Sequence, residues 1–402
     1  MSLLPVAQAQ ARLLALAAPL PRCAIPLAQA AGRYLAEPLL ALRDQPWADL
    51  SAMDGYAVRF ADIPGPWQIA GEMTAGALPA AEPLAPGAAM RIFTGAPLPA
   101  GADTVIVQED VALQGDRIRL TGDGPGARGR HVRTRASDFA RSDLLMAAGS
   151  QLDPPALALA ALAGHASLPV RPAPRVAILS TGNELVAPGA PCPPGSLPAS
   201  NGVMLRAMLE RAGATVISET LVPDDLGRLT GALQAIQGAD IIVTSGGASV
   251  GDHDLVRPAL EAAGGSINFW RIAMRPGKPL IVGQLGSAIM LGLPGNPISA
   301  MVTGALFLLP LVRHLAGSAT PLPQPRTASL GAALPPLTGE RAEYLRARAA
   351  DGLAIPLTFQ DSAAMRAAAQ ANALIVRAPG APAAKAGDSV EILDWTALGL
   401  AG

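Results

Sequence analysis

Four short stretches of this chain combine residue types that could hold a polyanion. Ser245-Gly246-Gly247-Ala248-Ser249-Val250-Gly251-Asp252-His253-Asp254 sets glycines and serines beside two aspartates. Glycines 246, 247 and 251 would let backbone N–H groups approach a phosphate closely, and Ser245 and Ser249 add hydroxyl donors. Asp252 and Asp254 would repel that anion unless a divalent cation intervened. Mg²⁺ bridging carboxylate and phosphate oxygens removes the conflict. Met274-Arg275-Pro276-Gly277-Lys278-Pro279 supplies positive charge, Arg275 as a planar fork and Lys278 as a point charge. Ser180-Thr181-Gly182-Asn183-Glu184 and Pro294-Gly295-Asn296-Pro297-Ile298-Ser299 complete the set, and Glu184, Asp252 and Asp254 are the candidate metal-site carboxylates. Each stretch also has a plainer reading. A Ser/Thr-Gly turn is a common strand-to-helix loop, Pro-Gly-Lys-Pro a structural turn, His253 a surface residue, and Asp252 or Asp254 a cap for a helix starting near Leu255. Convergence of all four on one edge would favour the anion site. Neither the Walker loop nor the dinucleotide fingerprint is present.

Other chemistries are poorly supplied. Cys23 and Cys192 are the two cysteines, and His131, His165, His253 and His314 lie far apart, which argues against a thiolate or imidazole metal centre. No Ser-His-Asp or Cys-His set is visible. Thirty basic against 31 acidic residues, with 3% aromatics, argue against nucleic acid as a partner. The stretch between Lys278 and Arg313 contains no charge, yet Pro294-Gly295-Asn296-Pro297 splits it into a strand and a helix, neither expected to approach the roughly 20 residues of a membrane span. The apolar patch Leu13–Leu20 has no basic residue before Arg12 and is broken by Pro19 and Pro21, a poor secretory signal. The expectation is a soluble, cytoplasmic protein with no membrane partner.

The elements that would position these loops follow from texture. Residues 175–315 alternate strands (Arg175–Leu179, Thr215–Leu221, Asp240–Thr244, Pro279–Gly283, Ala288–Leu293) with helices (Gly202–Ala212, Leu226–Gln237, Leu255–Ala263, and one from Ile298). This pattern predicts a central, mostly parallel α/β/α sheet with the odd loops at the carboxyl ends of its strands. Before it, apolar spacing predicts two short helices, around Ala11–Ala18 and Ala28–Leu39, and Pro155–Gly164 reads as a third. Arg91–Thr94, Thr104–Val107 and Arg117–Leu120, divided by Gly/Pro turns, predict a small β-rich unit, with Gly122-Asp123-Gly124-Pro125-Gly126 as a surface loop. Glu343–Arg348, Ala373–Val376 and Ser389–Leu393 predict a second β unit at the end. The fold class is therefore α/β plus small all-β domains. The expected division is 1–42 with 139–170 as an elongated linker domain, 43–138 β-rich, 171–318 α/β, and 319–402 β-barrel-like.

Two further stretches, Ser51-Ala52-Met53-Asp54-Gly55-Tyr56-Ala57-Val58 and Phe93-Thr94-Gly95-Ala96-Pro97-Leu98-Pro99, read as turns when taken alone. Together with Ser180–Leu185, Ser245–Asp252, Pro276–Pro279 and Gly292–Pro297, in this order, they give the chain a resemblance to the molybdopterin molybdenumtransferases of the MoeA type, related to the E domain of gephyrin. The resemblance implies insertion of molybdate into adenylylated molybdopterin with release of AMP, supported by Mg²⁺. It also implies a homodimer whose cleft lies between the α/β domain of one subunit and the small β domain of the other. Carried over by motif, it places catalytic roles on Asp54, Thr94, Glu184, Asp225 (or Asp224), Asp254 and Lys278, with a further acid at Asp138. Substrate and phosphate contacts fall on Ser245, Gly246, Gly247, Ser249, Gly251, Arg275, Pro294, Pro297 and Ser299, and the metal on Glu184, Asp252 and Asp254. Transient contact with the molybdopterin adenylyltransferase and with downstream maturation enzymes is implied too.

The chain departs from the resembled pattern in two places. The first cation of the turn is Arg275 where Lys is frequent, and Ala136 and Ser142 stand around Asp138 where glycines are frequent. In the C-terminal part, Gly339–Arg346, Ser362 and Ala371-Asn372 follow the pattern. The alternatives are the adenylyltransferase that shares the α/β domain, and a non-catalytic gephyrin-like scaffold. Extra residues on both sides of the α/β domain argue against the first, and acids at 54, 184 and 254 against the second.

Overall fold

The computed structural model of the 402-residue chain describes residues 3–78, 82–247, 255–269 and 271–401. Helix α1 (Val6–Leu14) buries Ala9 and Leu13 in the same apolar cluster as Leu306 and Leu309, so the chain starts by packing on the α/β unit. The second N-terminal helix expected around Ala28–Leu39 is absent; only a single 3₁₀ turn, Leu27–Gln29, forms. Gly32 at φ +73 stops it, and Tyr34 and Leu35 then bridge to Gln151 and Val170. Ser167–Val170 also pairs with Cys23–Pro26, and Leu144–Met146 with Leu39–Leu40, tying residues 23–40 to residues 144–170.

The first β unit is a six-stranded sheet of β1 (Gly55–Val58), β2 (Trp67–Met73), β3 (Ala88–Ile92), β4 (Thr104–Val107), β5 (Val111–Gln114) and β6 (Arg117–Leu120), in the order β4-β1-β3-β2-β6-β5. Alternation sends Tyr56, Val58, Trp67 and Ile106 to one face and Ala57, Ile92 and Val105 to the other. Gly55 is required where it stands, because a Cβ would lie 2.0 Å from the Ile106 carbonyl oxygen. Helix α2 (Pro154–Leu162) follows; the Asp153 carboxylate accepts the Ala156 N–H at its start, with Pro154 in the first turn, where its missing N–H costs nothing. Around Asp138, Ala136 (φ +58) and Ser142 (φ +75) both adopt the left-handed conformation. A side chain there costs about 1–2 kcal/mol, which is why glycine suits both positions.

The central sheet comprises β7 (Arg175–Thr181), β8 (Thr215–Val222), β9 (Ile241–Ser245), β10 (Ser266–Phe269), β11 (Ile281–Leu285) and β12 (Ala288–Leu293), in the order β8-β7-β9-β12-β11-β10. The first four run parallel; β11 runs against them, and β10, antiparallel to β11, runs with them. Strand β10, half-exposed and only four residues long, carries too little apolar signal to read from sequence. Helix α3 (Ser200–Arg211) and the helix after β12 cover one face through Leu205, Met208, Leu209 and Ile298. Helices α4 (Leu226–Ala235) and α5 (Val256–Ala262) cover the other through Leu229, Leu233, Val256 and Leu260. Full burial of one such aliphatic side chain contributes about 1.5–3 kcal/mol, so two apolar faces are needed to hold strands buried on both sides.

The helix after β12 corrects an expectation. It starts as α6 (Pro297–Thr303), passes through a π turn at Gly304–Leu308, and ends as α7 (Leu309–Leu315), giving 19 residues. That is close to span length, but 89% of its most apolar window is buried inside the protein, as befits a core helix. The π turn precedes Pro310, which has no N–H to donate and whose ring would crowd the carbonyl of Leu306 in a regular helix.

The C-terminal unit consists of β13 (Arg326–Leu330), β14 (Ala342–Ala350), β15 (Leu353–Pro356), β16 (Ala373–Arg377) and β17 (Ser389–Asp394). Pairing runs β14-β15-β13-β17-β16 and returns to β14, which closes a barrel. The short strand Met274–Arg275, from the cationic turn of the α/β unit, pairs alongside Ala342–Glu343.

Candidate functional site

The strand ends that carry the loops singled out by composition meet at one edge of the central sheet. Ser180 pairs with Ser245, and Ser245 with Leu293, so β7, β9 and β12 end level with one another. Strand β11 runs the other way and Ile281 pairs with Gly292, which brings the turn at 275–279 to the same edge. At Gly246 the approach is close enough to dictate residue type. A Cβ on Gly246 (φ +99) would sit 2.2 Å from the Thr181 carbonyl oxygen, and one on Gly295 would touch the Gly246 Cα at 3.6 Å.

Asn201, one residue before the helix expected from Gly202 and in the first turn of α3 as it stands, fastens this edge. Its Nδ2 donates to Ser245 Oγ and to the Gly295 carbonyl, both at 2.7 Å, while its buried Oδ1 has no hydrogen-bond partner among the described residues. At the end of β7, the Asp224 carboxylate accepts from Thr181 Oγ1 at 2.6 Å and from the Asn183 N–H at 3.3 Å, and Asn183 Oδ1 takes the Asp224 N–H in return. Asp225 does different work: its carboxylate caps helix α4 by accepting the Arg228 N–H at 2.8 Å. Of this acidic pair, Asp224 is the one turned to the loop edge. Glu184 is exposed, with Oε2 within 2.6 Å of where a Gly182 Cβ would be, and its carboxylate makes no hydrogen bond or ion pair among the described residues.

The cationic turn is seated on helix α6. A Cβ on Gly277 (φ +100) would fall 2.4 Å from Thr303 Cγ2 and 3.6 Å from the Ser299 carbonyl oxygen. Lys278 is exposed and has no counter-charge among the described residues, whereas Arg275 Nη1 lies 3.8 Å from Glu343 Oε1. Between turn, helix and barrel opens a polar cavity of about 310 Å³, lined by Arg275, Gly277, Ser299, Glu343, Gln360 and Ser362 among others. Ser362 is pinned to the helix start: its carbonyl accepts the Ile298 N–H and its hydroxyl accepts from Asn296 Nδ2, both at 3.0 Å. Arg346, 1% exposed, braces the far wall by donating from Nη2 to the carbonyls of Phe359 and Asp361. Pro294 lies in the loop after β12, and Pro297 opens α6.

Asp54 and Thr94 come together elsewhere, at the end of the first β unit. Asp54 Oδ1 accepts the Thr94 N–H and hydroxyl, each at 2.7 Å. Those two donors, helped weakly by Arg91, hold the Asp54 carboxyl below the usual carboxylate range against slight desolvation. Asp54 is thus an anion at neutral pH, an acceptor or charge partner and not a proton donor. A depressed pKa contributes stability above the ordinary carboxylate range, and that stability is lost as pH falls through the lowered value. Thr94→Val keeps the N–H and removes the hydroxyl; the Asp54 titration midpoint, followed by carboxyl-carbon NMR, is expected to rise. An unchanged midpoint would mean the hydroxyl bond contributes nothing. Arg91 itself lies between the rings of Tyr56 and Phe93, 5.0 and 4.9 Å from their centroids, and donates to the Gly55 carbonyl and to Gln108 Oε1.

No hydrogen bond or ion pair among the described residues links Asp54 or Thr94 to the α/β edge within one chain. Asp138 is exposed, and its N–H donates to the Gln45 carbonyl. Ser249, Gly251, Asp252, His253 and Asp254 lie outside the described residues, and among the described ones no three His, Cys, Asp or Glu side chains group to hold a metal.

Fold and site together define a multidomain protein built around a glycine-bearing loop edge of an α/β sheet, with a polar, cation-bearing cavity beside it. Family models agree along the chain: the MoeA N-terminal region (domain I and II) matches residues 4–164, a probable molybdopterin binding domain matches 177–314, and the MoeA C-terminal region (domain IV) matches 328–395. The molybdopterin molybdenumtransferase of Haemophilus influenzae is 39% identical over 294 residues, 72% of each chain. Two solved structures of a molybdopterin biosynthesis MoeA protein from Pyrococcus horikoshii superpose with TM-scores of 0.81 and 0.82, at 28% and 25% identity, each over 98% of this chain and 99–100% of its own. The chain belongs to the MoeA family of molybdopterin molybdenumtransferases.

Proposed function

We propose that this chain inserts molybdate into adenylylated molybdopterin, releasing AMP and yielding the molybdenum cofactor. The observation that carries the reading is the junction of the glycine-bearing edge at Gly246 and Gly295 with the cationic turn Arg275–Lys278 and its polar cavity. One substrate is a diphosphate and the other a small dianion, and this junction suits both. The N–H groups around Ser245, Gly246, Gly247, Ser249 and Gly251 receive the pyrophosphate. Arg275, Lys278 and Ser299, with Pro294 and Pro297 shaping the helix entrance, receive the oxyanion. Catalysis is then mainly orientation and stabilisation of the charge growing on the departing phosphate.

Mg²⁺ fits the donor chemistry of Glu184, a free hard carboxylate. Glu184 with Asp252 and Asp254 would hold it, and when bound it would screen the pyrophosphate. In this reading Asp224 takes the role that the resemblance shares between two aspartates, since Asp225 is engaged as a helix cap. Asp54, with Thr94, completes the cleft from the partner subunit of a homodimer; among the described residues no hydrogen bond or ion pair ties that pair to the edge of its own chain. We take the domains as 1–42 with 139–170, 43–138, 171–318 and 319–402, and the protein as cytoplasmic, receiving substrate from the adenylyltransferase and passing product to maturation enzymes.

The test is an assay with adenylylated molybdopterin, Mg²⁺ and molybdate. AMP release that depends on molybdate, together with a product able to activate an apo-molybdoenzyme, is expected. AMP release indifferent to molybdate, or adenylylation of free molybdopterin from ATP, would replace this reading with the adenylyltransferase.

A further inference from the structure

Glu343 stands oddly in a cavity suited to an anion. Its carboxylate is 13% exposed and lines the cavity. Arg275 Nη1 lies 3.8 Å from one oxygen and Arg377 Nη1 3.8 Å from the other, both beyond hydrogen-bond distance, and neither oxygen has a hydrogen bond among the described residues. The two arginines differ in freedom. Arg377 is 6% exposed and anchored through Nη2 to the Pro382 carbonyl at 2.8 Å, whereas Arg275 has a side chain 65% exposed and no other anchor among the described residues.

The second acid of the lining, Asp361, has Arg346 behind it; Arg346 Nη2 holds the Asp361 carbonyl at 3.0 Å, and the two charges attract. Each acid of the cavity is therefore backed by a buried arginine, and the mobile charge left over sits on Arg275 and neighbouring Lys278.

We infer that Glu343 sets the affinity of this cavity for its oxyanion, acting as an internal counter-anion that competes with the substrate for Arg275. The inference rests on the reading that the cavity receives the oxyanion. An arriving tetrahedral dianion draws Arg275 away from Glu343 and feels the repulsion of the carboxylate left behind. The hold is deliberately incomplete, which lets the metal oxyanion move on to the sulfurs instead of being trapped. Because the repulsion is Coulombic, it scales with the charge of the visitor. A merely structural glutamate would not show that scaling.

Binding of tungstate and of the monoanion perrhenate to the full-length protein, by calorimetry at fixed ionic strength, tests this. Glu343→Gln keeps the side-chain shape and is expected to tighten tungstate by about tenfold but perrhenate by only about threefold, as a halved charge requires. In an Arg275→Ala background the gain from Glu343→Gln should shrink, because the competition runs partly through Arg275. Equal or weaker tungstate binding by Glu343→Gln, or an equal gain for both anions, would overturn the role of Glu343. If instead Arg275→Ala and Lys278→Ala leave tungstate binding untouched, or the protein binds none, the oxyanion assignment itself fails.

Discussion

Lys278→Ala is expected to lower the efficiency of molybdenum insertion at subsaturating molybdate by about 10²- to 10³-fold, the usual effect of removing one preorganised charge or donor from a reacting anion. Lys278 carries the largest expectation because it is an exposed ammonium that nothing among the described residues neutralises. The backbone that carries it is also fixed, since Gly277 wedges the turn against Thr303 and the Ser299 carbonyl. Arg275→Lys should cost far less, under about fivefold, because the guanidinium is mostly solvated and only loosely paired with Glu343. Raising ionic strength should weaken molybdate saturation in the parent protein and do so less in Lys278→Ala, because one steering charge is gone. Activity of Lys278→Ala within threefold of the parent would remove this lysine from the site.

Gly246→Ala is expected to destabilise the α/β unit by on the order of 3–5 kcal/mol, at the severe end for a single substitution. Two penalties coincide: φ +99 is hostile to any L side chain, and the methyl would sit 2.2 Å from the Thr181 carbonyl oxygen, forcing β7 and β9 apart where their loops leave the sheet. Gly295→Ala is the matched comparison. Its added methyl meets the Gly246 Cα at an ordinary 3.6 Å and its φ is not positive, so a loss under about 1 kcal/mol is expected. Denaturant unfolding followed through the α/β unit checks both; similar losses in the two variants would show that the close approach is not what selects glycine at 246.

The α/β architecture was legible because β12 is a continuous apolar run, β9 opens on the β-branched triplet Ile241-Ile242-Val243, and α4 alternates on the helical period, local signals that survive without neighbours. The edge was legible for a related reason: parallel strands end at one side, so loops following them must meet. Strand β10 and the missing second helix were not, since a four-residue strand is held by its neighbour β11 and the turn after Leu27 is ended by one left-handed glycine. Within the site, Asp224 and Asp225 are indistinguishable as letters. Their division of labour depends on where helix α4 begins, to within one residue. Asn201 was invisible because its partners, Ser245 and Gly295, are 44 and 94 residues away. Glu343 gained its meaning only once the barrel was folded against the cationic turn.

That last junction has a mechanical consequence. The barrel borrows a stave, Met274–Arg275, from inside the adjoining α/β unit of the same chain, laid edge to edge with Ala342–Glu343. A protein cut after Leu315 would leave that stave without the rung beside it, and the guanidinium at its tip would lose both its acid and its bearing. The C-terminal module is thus no detachable ornament but the jig that aims the positive end of the site.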